Sequence, residues 1–155
     1  MNITEILTPQ AVIHGLAVVS KKKLIGELAL SASGFCGIDA ASLFETLWER
    51  EQLGSTGVGQ GIAIPHGRVQ KLGKIVGVFA QLSEPVAYEA IDDAPVDLVF
   101  LLLTPAEAGA DHLKALARVS RLLRNAAICE KLRAANDAAA LYAVLTEPSA
   151  GSQAA

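Results

Sequence analysis

The sequence predicts an α/β domain in which helices flank a small mixed β-sheet on both sides. Three observations carry that prediction. Several segments repeat apolar residues at helical spacing behind a capping side chain. The run Val96 to Leu103 is almost wholly aliphatic between Pro95 and Pro105. And 52% of the 155 residues are hydrophobic while only 5% are aromatic, which implies a well-filled aliphatic core rather than disorder. A chain of this length folds most simply as one domain, burying roughly 68–70% of its unfolded surface. That domain is expected at residues 1–147, with Pro148 to Ala155 as a flexible C-terminal tail.

In chain order, Ala11 to His14 and Leu16 to Val19 supply a short first strand. Ser20 caps a helix to about Ser33, with Leu24, Ile25, Leu28 and Ala32 on one face and Gly34 closing it. Asp39 caps a second helix to about Leu53, striped by Leu43, Phe44, Leu47 and Trp48. After a glycine-rich stretch, Lys74 to Leu82 reads as a strand apolar on both faces. Val96 to Leu103 reads as a central strand covered on both sides. Asp111 caps a third helix, about His112 to Asn125. A fourth covers Ile128 to Ala134, and Asp137 caps a last one through Glu147. Helices on both sides of the sheet bury all of these apolar stripes.

Composition excludes several functions. The net charge of −3 argues against general nucleic-acid binding, and the one basic run, Lys21-Lys22-Lys23, reads as solvated surface. No apolar run approaches the ~20 residues of a membrane span. The start, Met1 to Glu5, lacks the basic region and apolar core of a secretion signal, so the expected location is the cytoplasm. Cys36 and Cys129 form no C-x-x-C pair and are expected as reduced, partly buried thiols. His14, His66 and His112 have no zinc spacing, so neither a metal nor a cofactor is expected.

The chemistry concentrates in Gly54-Ser55-Thr56-Gly57-Val58-Gly59-Gln60-Gly61-Ile62-Ala63-Ile64-Pro65-His66-Gly67. Four glycines within eight residues predict a loop that bends freely and approaches other groups closely. Ile62 to Ile64 is extended, and Pro65 ends the strand. His66 then stands just past a strand end, with Gly67 leaving its ring uncrowded. Near its ordinary pKa of about 6.5, roughly three-quarters of such a histidine is neutral at pH 7. The neutral ring has a free lone pair and needs no separate base to attack.

The loop is a weak nucleotide cradle. A Walker loop needs Gly-Lys-Ser/Thr, and here Gly61 precedes Ile62. A dinucleotide fingerprint lies between a strand and a helix, whereas this loop runs from a helix into a strand. Its successive N–H groups can still form an anion-binding nest. No Gly-x-Ser-x-Gly elbow is present, so Ser55 and Thr56 hold the loop or bond a ring nitrogen rather than attack.

His112 shares a helical face with Leu116, Val119 and Leu123 and points inward near the positive end of its helix. That placement fits a core histidine and a functional one equally. Arg50 follows Leu47 by three residues, turned toward the protein body before the glycine loop. It reads as a helix C-terminal cap or as an anion clamp. A nucleophilic imidazole, a second histidine and an arginine suit phosphoryl transfer through histidine.

Glu51 to Gly67 resembles the phosphorylation-site signature of the mannitol/fructose-type IIA components of the bacterial phosphotransferase system. The acidic residue at Glu51, Val58-Gly59 and Ile62-Ala63-Ile64-Pro65-His66-Gly67 all fall where that signature places them. Similarity extends from about Ile3 to Leu145. It looks most like the nitrogen-related branch, through Arg50 to Gly57, Ala90 to Leu98 and Ile128 to Ala135. Arg68 is commonly lysine in relatives.

The resemblance implies a three-layer α/β/α sandwich. It implies that His66 takes a phosphoryl group on Nε2 from a phosphorylated HPr-like carrier (NPr), with Arg50 and His112 as stabilisers. Ser55, Thr56, Gly57, Gly59, Pro65 and Gly67 would form the supporting loop. It further implies a regulator whose phosphorylation state, linked to nitrogen and potassium status, selects targets such as potassium transporters and sensor kinases. A sugar-transport IIA that passes phosphate to a IIB partner is the alternative within the family. A non-catalytic anion-binding module is the alternative outside it.

Overall fold

A computed structural model describes residues 1–147, and its elements follow the capping residues closely. Short 3₁₀ turns at Ile3–Glu5 and Pro9–Ala11 lead into β1 (Val12–Leu16). Helix α1 (Lys21–Cys36) starts where Ser20 Oγ accepts the Lys23 N–H at 3.2 Å. It does not end at Gly34. It continues to Gly37, whose φ of +72° supplies the left-handed turn that releases the chain. Helix α2 (Ala40–Leu53) is capped by Asp39, which accepts the Ser42 N–H at 3.1 Å. Its Leu43 and Leu47 are buried, while Phe44 and Trp48 stack on each other at the edge of the core.

The glycine-rich stretch is a hairpin rather than a free loop. Strand β2 (Gly57–Gly59) pairs antiparallel with β3 (Ile62–Ala63). Gln60 and Gly61 join them with φ of +58° and +83°, the signs that a type I′ turn requires at both positions. The remaining strands are β4 (His66–Val69), β5 (Val76–Val86) and β6 (Val96–Pro105). Helix α3 (Ala110–Leu123) is preceded by Gly109, not by a capping Asp111. Asp111 lies inside the first turn, where its charge favours the helix dipole. Asn125 caps α4 (Ala126–Ala134), and Asp137 caps α5 (Ala138–Thr146). The expected tail, Pro148 to Ala155, lies outside the described residues.

The six-stranded sheet runs β1-β5-β6-β3-β2, with β4 also on β6. β1 is parallel to β5, β5 antiparallel to β6, and β3 and β4 parallel to β6. The register Ile62↔Leu98, Ala63↔Val99 continues as His66↔Leu102 without a shift. Strands β3 and β4 are therefore one line of chain, interrupted at Ile64-Pro65.

Every β6 residue from Leu98 to Thr104 is fully buried, so the strand is covered on both faces as its aliphatic run demands. α1 and α2 pack on each other and on β5 and β4. α3, α4 and α5 pack in series over β6 and β1. The result is a three-layer α/β/α sandwich. Among the described residues no helix is long and apolar enough to cross a membrane.

Candidate active site

The interruption at Ile64-Pro65 explains how His66 is presented. Pro65 has no N–H to give the ladder, though its carbonyl accepts the Leu102 N–H at 2.9 Å. Ile64 donates its N–H to Thr56 O at 3.0 Å, on the side away from β6. In extended chain the carbonyl of a residue points to the same side as its N–H, so the Ile64 oxygen also faces outward. There it accepts His66 Nδ1–H at 2.8 Å. A carbonyl can only accept, so Nδ1 carries the proton and Nε2 keeps its lone pair.

His66 is not beyond a strand end, as the sequence suggested, but opens β4. Its backbone is held by the sheet, and the half-buried ring is aimed by a neighbouring carbonyl. Gly67 is needed for packing more than for freedom: a Cβ there would meet Thr46 Cγ2 of α2 at 2.9 Å. Successive strand residues point to opposite faces, so α2 covers Gly67 while His66 faces α3.

On that side lies His112, buried in the first turn of α3, its ring centroid 5.9 Å from that of His66. Its Nδ1 is hydrogen-bonded to the Thr104 hydroxyl. Burial pushes the His66 pKa below 6.5. The Ile64 bond pulls it back up, Arg50 pushes it further down, and Glu51 raises it slightly. His112 is also lowered, by burial first and then by Arg68 and His66. Both shifts favour the neutral form of each ring.

A histidine with a depressed folded-state pKa contributes stability that is present above about 6.5, its unfolded value, and is lost as pH falls toward the folded value. The melting temperature is therefore expected to drop on acidification below pH 6.5. His112→Gln, which cannot take up that proton, flattens the drop. Parallel curves for variant and wild type in a pH series of melts would contradict this.

Arg50 is the helix cap that its sequence position suggested. Its Nη1 donates to Gly54 O at 2.8 Å, closing the end of α2. Its charge also reaches His66, whose pKa it lowers.

Behind the site sits a network that the sequence reading did not assign. The Glu51 carboxylate, buried at the end of α2, accepts the Thr56 N–H at 3.1 Å, the Thr56 hydroxyl, and the Tyr88 hydroxyl at 3.0 Å. Lys21 Nζ pairs with it at 2.8 Å and lies 4.6 Å from the Tyr88 ring centroid. Lys21 is thus not solvated surface: its side chain is 12% exposed. Burial beside Glu51 raises the Tyr88 pKa well above 10.

Ser55 Oγ donates to Tyr88 O at 3.3 Å and accepts the Gly57 N–H at 3.0 Å. The Gln60 N–H goes to Asp92 at 2.9 Å. The N–H groups of Thr56, Gly57 and Gln60 are all engaged within the protein and leave none of these three donors for an anion. Ser55 and Thr56 hold the hairpin, and neither bonds a ring nitrogen. Gly57 lets the hairpin seat against Ala90, where a Cβ would come within 2.6 Å of the Ala90 Cβ. Gly59, next to Asp92, is part of the hairpin rather than of the site. The signal for Glu51 was present: it follows Leu47 by four residues, on the buried stripe of α2. The signal for Thr104 was its place as the polar residue ending an aliphatic run.

His14 lies elsewhere, exposed, with Nε2 at 3.0 Å from Ala135 O. Among the described residues no cluster of His, Cys, Asp and Glu side chains has the form of a metal site.

Comparison with known proteins places this arrangement. Residues 5–147 match the family described as phosphoenolpyruvate-dependent sugar phosphotransferase system, EIIA 2. The nitrogen regulatory protein of Bradyrhizobium diazoefficiens is 53% identical over 150 residues, covering 97% of this chain and 98% of that protein. The structure of nitrogen regulatory protein IIA-Ntr from Neisseria meningitidis superposes with a TM-score of 0.88 at 39% identity, covering 93% of this chain and 99% of the other. The IIA mannitol structure from Escherichia coli shares the fold at a TM-score of 0.75 and 20% identity, covering 89% and 97%. The chain belongs to the EIIA 2 family of the phosphoenolpyruvate-dependent sugar phosphotransferase system and sits with that family's nitrogen regulatory members.

Proposed function

We propose that His66 accepts a phosphoryl group on Nε2 from the phosphohistidine of an HPr-like carrier (NPr). We further propose that the phosphorylated and free forms of the chain engage different regulatory targets, in nitrogen metabolism and in potassium transport through transporters and sensor kinases. The observation that carries the first step is the His66 Nδ1–H bond to Ile64 O at 2.8 Å, which leaves Nε2 unprotonated. That lone pair forms the new P–N bond as the P–N bond of the carrier breaks in line with it, and the carrier imidazole leaves with the electron pair. Nδ1 keeps its proton and its carbonyl throughout. Arg50 and His112 supply donors where charge gathers on the phosphoryl oxygens. Exposed Leu53 and Leu113, close in the chain to Arg50 and His112, offer apolar contact for a docking protein.

Phosphorylation brings about −1.5 to −2 charges to this spot. Partners that differ by a few kcal/mol in affinity for the two forms are then switched decisively.

Incubation with phosphorylated carrier is expected to add one acid-labile phosphate. Arg50→Ala is expected to slow transfer by about 10²-fold, the usual cost of losing a donor to developing negative charge. A wild-type rate in rapid-quench labelling would leave Arg50 as a helix cap alone. For the regulatory role, target capture by wild type and by His66→Ala is compared with and without the phosphorylated carrier. Capture that ignores phosphorylation, together with fast transfer onto a fructose- or mannitol-type IIB protein, would point to sugar transport instead.

A further inference from the structure

Thr104 ends the aliphatic run of β6 and is fully buried. It stands opposite Arg68 in the β4–β6 register. Its side chain therefore leaves the sheet on the face that carries Arg68 and His66, toward α3. Among the described residues, its hydroxyl finds its hydrogen-bond partner in His112 Nδ1.

That bond can run in either direction, and burial chooses between them. If Nδ1–H donated to Oγ1, the hydroxyl proton would be left in an apolar interior without an acceptor. If the hydroxyl donates to Nδ1, both groups are satisfied, and the proton of the neutral ring resides on Nε2. Unpaired buried donors are disfavoured, so the second arrangement holds.

We propose that Thr104 is a positioning residue for phosphoryl transfer: its hydroxyl holds His112 in the Nε2–H tautomer, so that the free nitrogen of this ring meets the incoming phosphoryl oxygens as a donor. The two histidines are thereby set in opposite tautomers by different parts of the sheet. Ile64 O holds the proton on His66 Nδ1 and bares the attacking nitrogen. Thr104 leaves His112 Nδ1 bare and turns a proton toward the charge that arrives. In the reversed tautomer His112 would present a lone pair to an anion, and attraction would become repulsion. Burial, Arg68 and His66 favour the neutral form of His112, and in that form the bond to the Thr104 hydroxyl decides which nitrogen carries the one ring proton.

The inference rests on the phosphoryl-transfer reading of His66, and its test separates the two. Long-range ¹⁵N–¹H spectra of the wild-type protein should show His112 protonated on Nε2 and bare at Nδ1. A wild-type His112 protonated on Nδ1 overturns the inference whatever any variant does. Thr104→Val, nearly isosteric, is expected to mix the tautomers and to slow phosphorylation by the carrier about tenfold. That is less than the 10²–10³ of a deleted oxyanion donor, because the ring itself remains. Thr104→Ser restores the hydroxyl and is expected to recover both the tautomer and most of the rate. A Thr104→Val protein with unchanged His112 spectra and a wild-type rate would likewise overturn the inference. If the wild type takes up no phosphate at all, the reading of His66 fails, and the His112 spectra still decide what Thr104 does.

Discussion

Substitution of His66 by alanine is expected to abolish phosphoryl uptake completely while leaving the protein folded. The half-buried ring contributes one hydrogen bond, to Ile64 O, and the backbone of residue 66 keeps its place opposite Leu102 whatever side chain it carries. His112 cannot substitute as acceptor of the phosphoryl group. Its Nδ1 is tied to Thr104, and the residue is buried in the first turn of α3. His14 is remote, bonded to Ala135 O. Labelling by phosphorylated carrier, with circular dichroism to show that the variant is folded, checks the prediction. Label retained on His66→Ala at the wild-type extent would contradict it.

The largest expected effect on stability comes from Glu51→Ala. One carboxylate there satisfies the Thr56 backbone N–H, two hydroxyls and the Lys21 ammonium, all behind the hairpin that precedes His66. Removing it leaves a mostly buried cation, the Thr56 N–H and one hydroxyl proton of the Thr56–Tyr88 pair without partners. Breaking one side of a buried pair costs about 3–5 kcal/mol, which for a domain of this size corresponds to a fall in melting temperature on the order of 10 °C. Glu51→Gln keeps an acceptor oxygen but no charge, so it is expected to lose less. The hairpin should loosen in both variants, since Thr56 is its anchor. Accordingly, phosphorylation should slow even where the fold survives. A melting temperature for Glu51→Ala within about 2 °C of wild type would show that the network contributes little to stability.

What could be read from the chain depended on how local its cause was. Ser20, Asp39 and Asp137 cap helices through a bond to an N–H three residues on, so those starts were legible. The aliphatic run of β6 was legible because a strand buried on both faces leaves no alternation to misread. The end of α1 was not, since Gly34 and Gly37 are equivalent as letters, and only the left-handed backbone at Gly37 distinguishes them. The hairpin was missed for a related reason. Gly57-Val58-Gly59 has no strand-forming pattern and becomes a strand by seating against Ala90 and pairing with β3.

Lys21 was misread as surface because its partner Glu51 is distant in the chain and adjacent only in the fold. At the site, Pro65-His66-Gly67 marked the ring proposed to react, and helical spacing turned Arg50 and His112 inward. The tautomers were beyond the sequence, because they depend on where the Ile64 carbonyl and the Thr104 hydroxyl point.

The nitrogen that bears the phosphate tests the central claim most directly. In ¹⁵N-labelled protein phosphorylated by its carrier, ¹⁵N–³¹P coupling should place the phosphorus on His66 Nε2, with Nδ1 still protonated against the Ile64 carbonyl. Phosphorus bonded to Nδ1, or to any other residue, would contradict the account.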